Sequence, residues 1–165
     1  MKNSLIALSV IIVLLSCNRS DISSCCTSTP QIVNSDTSVI ALPDIFTPNA
    51  DGINDILYVL RKNILSNGFS FTVLNKREKT VFSTTDLSIG WDGTEKGKPV
   101  KEKEYFISIQ ATTTSGAPIN LTGTVCIIRD NCAKNAIQNC FFSTQFNGTA
   151  FDTNLPSYEN IKPCK

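Results

Sequence analysis

The stretch FTPNADGINDIL, Phe46 to Leu57, gathers the oxygen-bearing side chains of Asn49, Asp51, Asn54 and Asp55 around Gly52. Calcium takes roughly six to eight oxygen ligands from carboxylates, amides and carbonyls on flexible loops. These four side chains, with a glycine that permits a tight turn, make the loop a candidate Ca2+ site. Aligned to an EF-hand loop, Gly52 falls on the glycine position, but Thr47 and Tyr58 fall where the first and last carboxylates are needed. The loop is therefore not an EF-hand. The same residues suit Asx turns, in which Asn and Asp side chains bond their own backbone and Gly52 takes a positive φ. Composition admits both readings.

Thiols are the second chemical resource. Lys2 precedes SLIALSVIIVLL, an uncharged apolar run of about a dozen residues, well short of the roughly 20 that cross a bilayer. A basic start, an apolar run and a small residue before a break describe a secretory signal over residues 1–16. The break, LLSC from Leu14 to Cys17, resembles the lipobox of bacterial lipoproteins. That resemblance implies cleavage before Cys17, lipidation of its thiol and attachment of the mature protein to a membrane. Each buried lipid CH₂ contributes about 0.8 kcal/mol, so several acyl chains make attachment permanent.

Export also determines what the remaining six cysteines do. Cys25, Cys26, Cys126, Cys132, Cys140 and Cys164 form an even set in a compartment that keeps disulfides. A zinc site is the competing reading, and the set lacks the paired C-x₂₋₄-C spacing of zinc ribbons. Cys25 and Cys26 are neighbours, which disfavours a bond between the two.

Other chemistries lack their parts. There is no histidine, which removes the commonest general base and metal ligand. No nucleophile elbow, P-loop or dinucleotide fingerprint occurs. The formal charge is +1 with no basic block, which gives no support to nucleic-acid binding. Nothing here points to an enzyme.

The elements that must position these residues read as strands. Residues 17–39 are rich in Ser, Thr, Asn and Asp, too polar to offset the entropy of ordering, and read as a lipidated tether. From Ile40 onward, short β-type runs alternate with turns. DILYVLR, FSFTVLN, TVFST, EYFISIQA and NLTGTVCIIR are the candidate strands, and no long stretch has helical spacing. This predicts an all-β antiparallel sandwich over residues 40–129. In the last strand Cys126 falls on the face opposite Leu121 and Val125, where a half-cystine would tie an added segment to the outside. The tail, residues 130–165, carries Cys132, Cys140 and Cys164 and reads as a cystine-held extension joined to Cys126. Its Phe141, Phe142, Phe146 and Phe151 would be a liability if left exposed. Trp91 reads as core and Asp92-Gly93 as a turn.

Five segments in order carry a family resemblance: LPDIFTPNADGINDIL, FTVLNKREKTVFST, GWDGTEKGKPV, EYFISI and LTGTVCIIR. Together they resemble the gliding motility-associated C-terminal domain of Bacteroidetes, also described as a type B sorting domain of the type IX secretion system. The resemblance covers residues 42–129 and implies an immunoglobulin-like β-sandwich. Two features depart from the family's habit. Its members usually end the polypeptide, whereas this chain runs on to Lys165, and they usually follow a large cargo. Lys76 to Lys79 also lacks the usual Trp-Gly or Tyr-Gly, and Lys103-Glu104 stands where Gly-Thr is usual.

The resulting expectation is a non-catalytic outer-membrane lipoprotein facing the periplasm or the cell surface. It would contact secretion or gliding machinery, or other envelope proteins. A surface adhesin that binds carbohydrate or protein is the alternative, and a purely structural envelope lipoprotein is a third. Exposed aromatics in the tail would favour adhesion.

Overall fold

The structure is a computed structural model that describes residues 25–26, 31–129, 132–133, 140–159 and 162–163. It opens with a hairpin, β1 (Gln31–Ser35) and β2 (Ser38–Leu42), turned at Asp36 with φ 52°. A short Asp-led turn that accepts a positive φ is a usual hairpin device. The expected tether therefore gives way to folded strand within residues 17–39. Polar composition over that segment hides Ile32 and Val33, and Val33 packs against the main core.

β3 (Ile45–Phe46) follows, then β4 (Leu60–Lys62), which pairs with β2 to complete a three-stranded sheet. DILYVLR thus supplies a strand only at its end. Earlier in that run Leu57 makes an isolated bridge to Trp91. β5 (Ser70–Leu74) and β6 (Thr80–Thr84) form a hairpin, and β7 (Thr94–Glu95) and β8 (Lys98–Pro99) form a smaller one. β9 (Glu104–Thr112) and β10 (Pro118–Ile127) are the long strands, paired in register from Pro118–Thr112 to Cys126–Glu104. The larger sheet runs β3-β10-β9-β5-β6, with β3 parallel to β10 and the other pairs antiparallel. In the tail, β11 (Cys132–Ala133) pairs with β12 (Lys162–Pro163).

The two sheets face each other across one apolar core, as the alternation predicts. β9 turns Tyr105, Ile107, Ile109 and Ala111 inward, and β10 turns Ile119, Leu121, Val125 and Ile127. Ile40 and Leu42 of β2 meet them from the other sheet, and Phe71 and Val73 of β5 fill the middle. Each such side chain stabilises the fold by about 1.5–3 kcal/mol when fully buried. Phe46 and Tyr105 both meet Trp91, the first tilted and the second edge-on, with centroids 5.4 Å and 5.1 Å apart. This is an all-β sandwich.

Gln31 joins the sheets in a way no periodicity reveals. Its amide copies a strand neighbour: Oε1 accepts from Thr124 N at 2.6 Å, and Nε2 donates to Thr124 O at 2.6 Å. A Cβ at position 123 would stand 1.4 Å from Gln31 Oε1, so any other residue there would displace the Gln31 amide from this bridge. Gln31 Nε2 also donates to Asp44 Oδ1 at 3.0 Å.

Asp44 is buried, and its Oδ2 has no partner among the described residues. Burial pushes its carboxyl from 3.8 up to about 6, against the opposing pull of the Gln31 bond. A raised pKa means that the folded state holds this proton more tightly than the unfolded state. Its stabilisation is complete below pH 3.8 and is lost as pH rises through about 6. Melting temperature should therefore rise by about 2–4 °C as pH falls from 7 to 5. Asp44→Asn should remove that rise, and an unchanged pH slope in the variant would refute the assignment.

Candidate functional site

The oxygen-rich loop turns on two left-handed residues besides its glycine: Ala50 (φ 67°), Gly52 (φ 89°) and Asn54 (φ 47°). A left-handed alanine costs about 1–2 kcal/mol, so something must hold it. Asp55 does so. Its Oδ1 accepts from Ala50 N at 2.7 Å and its Oδ2 from Gly52 N at 2.7 Å. Asn49 Oδ1 accepts from Asp51 N, and Asp51 Oδ1 accepts from Ile53 N. Asn49 Nδ2 donates to Asp51 Oδ2 at 3.1 Å. Asn54 faces the tail, where its Oδ1 accepts from Ser143 Oγ and its Nδ2 donates to Ser157 O and Glu159 Oε1.

Each side-chain oxygen that calcium would take from Asn49, Asp51, Asn54 and Asp55 thus already faces a donor. Among the described residues no group of three or more acidic, His or Cys side chains is placed to hold a metal. The residues fit an Asx-turn network better than a cation cage.

The other motif segments converge on the same end of the sandwich. Arg129 threads between them, donating from Nη1 to Val100 O at 2.7 Å and from Nη2 to Gly93 O at 2.8 Å. A Cβ at Gly93 (φ 74°) would meet Arg129 Nη2 and Pro48 Cγ, each at 2.9 Å. Trp91 is buried and donates from Nε1 to Thr94 O, while Asp92 accepts from the N–H and hydroxyl of Thr94. Trp91 is core and Asp92-Gly93 a turn, as expected, and Asp92 stays with its own turn.

The cysteines require a correction. Cys126 is bonded to Cys25, not to the tail, and Cys140 is bonded to Cys26. Cys126 does lie on the face opposite Leu121 and Val125, but that face is buried. Ile45, Cys126, Ile128, Cys140 and Phe142 form a second, smaller core against Cys25 and Cys26. The returning N-terminal segment covers the strand there, and its polar composition concealed that role. The tail is cystine-held, through the N-terminal segment. Cys17 and Cys164 lie outside the described residues, as does the side chain of Cys132.

The second disulfide depends on the first. Cys25–Cys126 closes a separation of 101 residues, worth about 4.7 kcal/mol in the chain-entropy account. Because Cys25 and Cys26 are adjacent, Cys26–Cys140 then closes only the stretch from 126 to 140, worth about 3 kcal/mol. The tail's aromatics pack on one another, Phe151 against Phe141 and Phe146 at 5.3 Å and 5.5 Å, and Phe142 is buried. Phe141, Phe146 and Phe151 remain part-exposed, and Tyr158 is 66% exposed.

Three outcomes follow from this geometry. Peptide mapping without reduction should join Cys25-Cys26 to both Cys126 and Cys140, and a Cys126–Cys140 peptide alone would contradict the pairing. Asp55→Ala should cost about 1–2 kcal/mol by freeing two N–H groups. Millimolar calcium should leave the melting temperature unchanged, whereas a rise that Asp55→Ala abolishes would place a cation in the loop.

Residues 40–127 match the family described as CHU_C Type IX secretion signal domain. No curated protein matches the chain. Among solved structures, the crystal structure of CopC from Methylosinus trichosporium OB3b is similar at 8% identity and a TM-score of 0.39, over 61% of this chain and 95% of that one. At that score the likeness carries no argument. The family match spans more than half of the 165 residues and takes in β2 through β10. This chain belongs to the CHU_C type IX secretion signal domain family, a family of sorting modules in cell-envelope or secreted proteins.

Proposed function

We propose that this chain is a non-catalytic, lipid-anchored envelope protein whose sandwich engages the type IX secretion machinery. The family match over residues 40–127 is the observation that carries the reading. The lipobox-like Leu14 to Cys17 supports the anchor, and two disulfides suit an oxidising compartment. The motif residues serve the fold rather than a reaction: Asp55 and Asn54 hold a turn, Arg129 ties carbonyls, and Trp91 fills the core. Such a module works by being recognised on its surface, and the partner is machinery or another envelope protein.

Cys25 sits close behind Cys17 in sequence, and its bond to β10 shortens any tether between lipid and sandwich. In this reading the sandwich rides close to the membrane.

Two measurements separate the parts of this reading. Cys17→Ser should move the protein from the membrane to the soluble fraction, and unchanged partition would refute the anchor. Protease accessibility on intact cells should fall sharply when the type IX system is disabled. Accessibility that persists at the normal level would refute the secretion reading while leaving the anchor intact.

A further inference from the structure

A cleft of about 460 Å³ lies beside the β7–β8 hairpin. Lys96, Lys98, Lys101 and Lys103 line it, over a floor that includes Val81, Val100 and Tyr105. Its one carboxylate, Glu95, is already taken: Lys79 Nζ lies 2.6 Å from Glu95 Oε1, the only ion pair among the described residues. Lys96, Lys98, Lys101 and Lys103 therefore line one concavity without an ion pair of their own among the described residues, the nearby Glu95 being paired with Lys79 while also feeling the charge of Lys96. In a chain of formal charge +1, this is a local excess that the total conceals.

One of these lysines, Lys96, is placed with some conformational strain. Lys96 and Gly97 form the hairpin turn with φ of 53° and 73°. Two-residue hairpin turns of this kind favour Asn, Asp or Gly at the first position, where a longer side chain is disfavoured. Lysine occupies it nonetheless. Lys103 is held in turn by its own neighbour, with Nζ 5.1 Å from the Tyr105 ring centroid. Like charges gathered in a concavity repel one another, and a bound anion would relieve that repulsion.

The donor type narrows the anion. Arginine's planar fork suits carboxylate and phosphate alike, whereas lysine binds phosphate as a mobile point charge, and several such charges around one concavity suit a phosphoryl group with its several oxygens. The cleft holds no arginine. Arg129 is committed to the carbonyls of Val100 and Gly93. The apolar floor leaves room for the carbon skeleton that carries the phosphate.

We infer that this cleft binds a phosphate ester, with the ammonium groups of Lys96, Lys98, Lys101 and Lys103 around the phosphoryl oxygens. The phosphate belongs either to a membrane lipid headgroup or to a small soluble ester. The site stands independently of the secretion reading.

The test uses the full chain carrying Cys17→Ser, so that no lipid of its own draws it to vesicles. Phosphatidylglycerol–phosphatidylcholine vesicles should bind it about tenfold or more tightly than phosphatidylcholine alone at low salt. In a separate arm, millimolar glycerol 3-phosphate should raise its melting temperature. Binding in the vesicle arm alone identifies a lipid headgroup, and a shift in the soluble arm identifies a small ester. Lys98→Gln with Lys101→Gln should abolish whichever signal is seen, Lys98→Arg with Lys101→Arg should retain it, and Lys62→Gln on the other sheet should leave it unchanged. Silence in both arms, or a signal that survives the double glutamine variant, would overturn the inference.

Discussion

Alternation along β10 organises the whole molecule. Leu121, Val125 and Ile127 point into the main core between the sheets, while Cys126 and Ile128 point into the second core on the other side. One strand is thus a wall shared by two apolar clusters, and neither cluster can form without it. On the edge away from β9, β10 receives Gln31 at Thr124 and the Asp44 carbonyl at Cys126 N, so the N-terminal hairpin and β3 are registered against it. The covalent staple follows from the same geometry. Cys126 emerges where Cys25 arrives, and Cys26 is left to reach Cys140.

This arrangement brings together segments that are distant along the chain. Phe46 and Tyr105 both meet Trp91, Arg129 binds the turn that follows Trp91, and Asp55 holds the loop that follows Phe46. These residues lie far apart in sequence and close together in space. Losing one would leave an unpaired N–H or carbonyl, or a hole beside a fully buried tryptophan. The pattern reads as a signature of fold, and the chemistry open to other molecules lies on the surface, the lysine-lined cleft included.

Much of the fold was legible because half-buried strands announce themselves. β5, β6, β9 and β10 fall where alternation places them, and the all-β class follows from them. β1 was not legible, since five residues with one apolar side chain, Val33, packed on the core vanish inside a polar segment. The role of Gln31 was invisible for a deeper reason: a side-chain amide standing in for a strand leaves no periodic trace. The pairing of Cys126 failed on topology rather than direction. Its face was read correctly, but which segment covers that face depends on the path of the N-terminus. The lysine cleft escaped because charge counted along a chain does not show what a hairpin brings together. For the oxygen-rich loop, composition left two readings open, and only the hydrogen-bond partners favour the turn.

The central claim is that β10 carries two cores, the smaller of them fastened by the adjacent cysteines. Residue-resolved amide hydrogen exchange on the protein with Cys25→Ser and Cys26→Ser tests it most directly. The account predicts that the amides of Cys126 and Ile128, which donate to Asp44 O and Phe46 O, lose protection. Those of Leu121 and Val125 should keep theirs, because the main core remains. Equal loss along the whole strand, or no loss at Cys126 and Ile128, would contradict it.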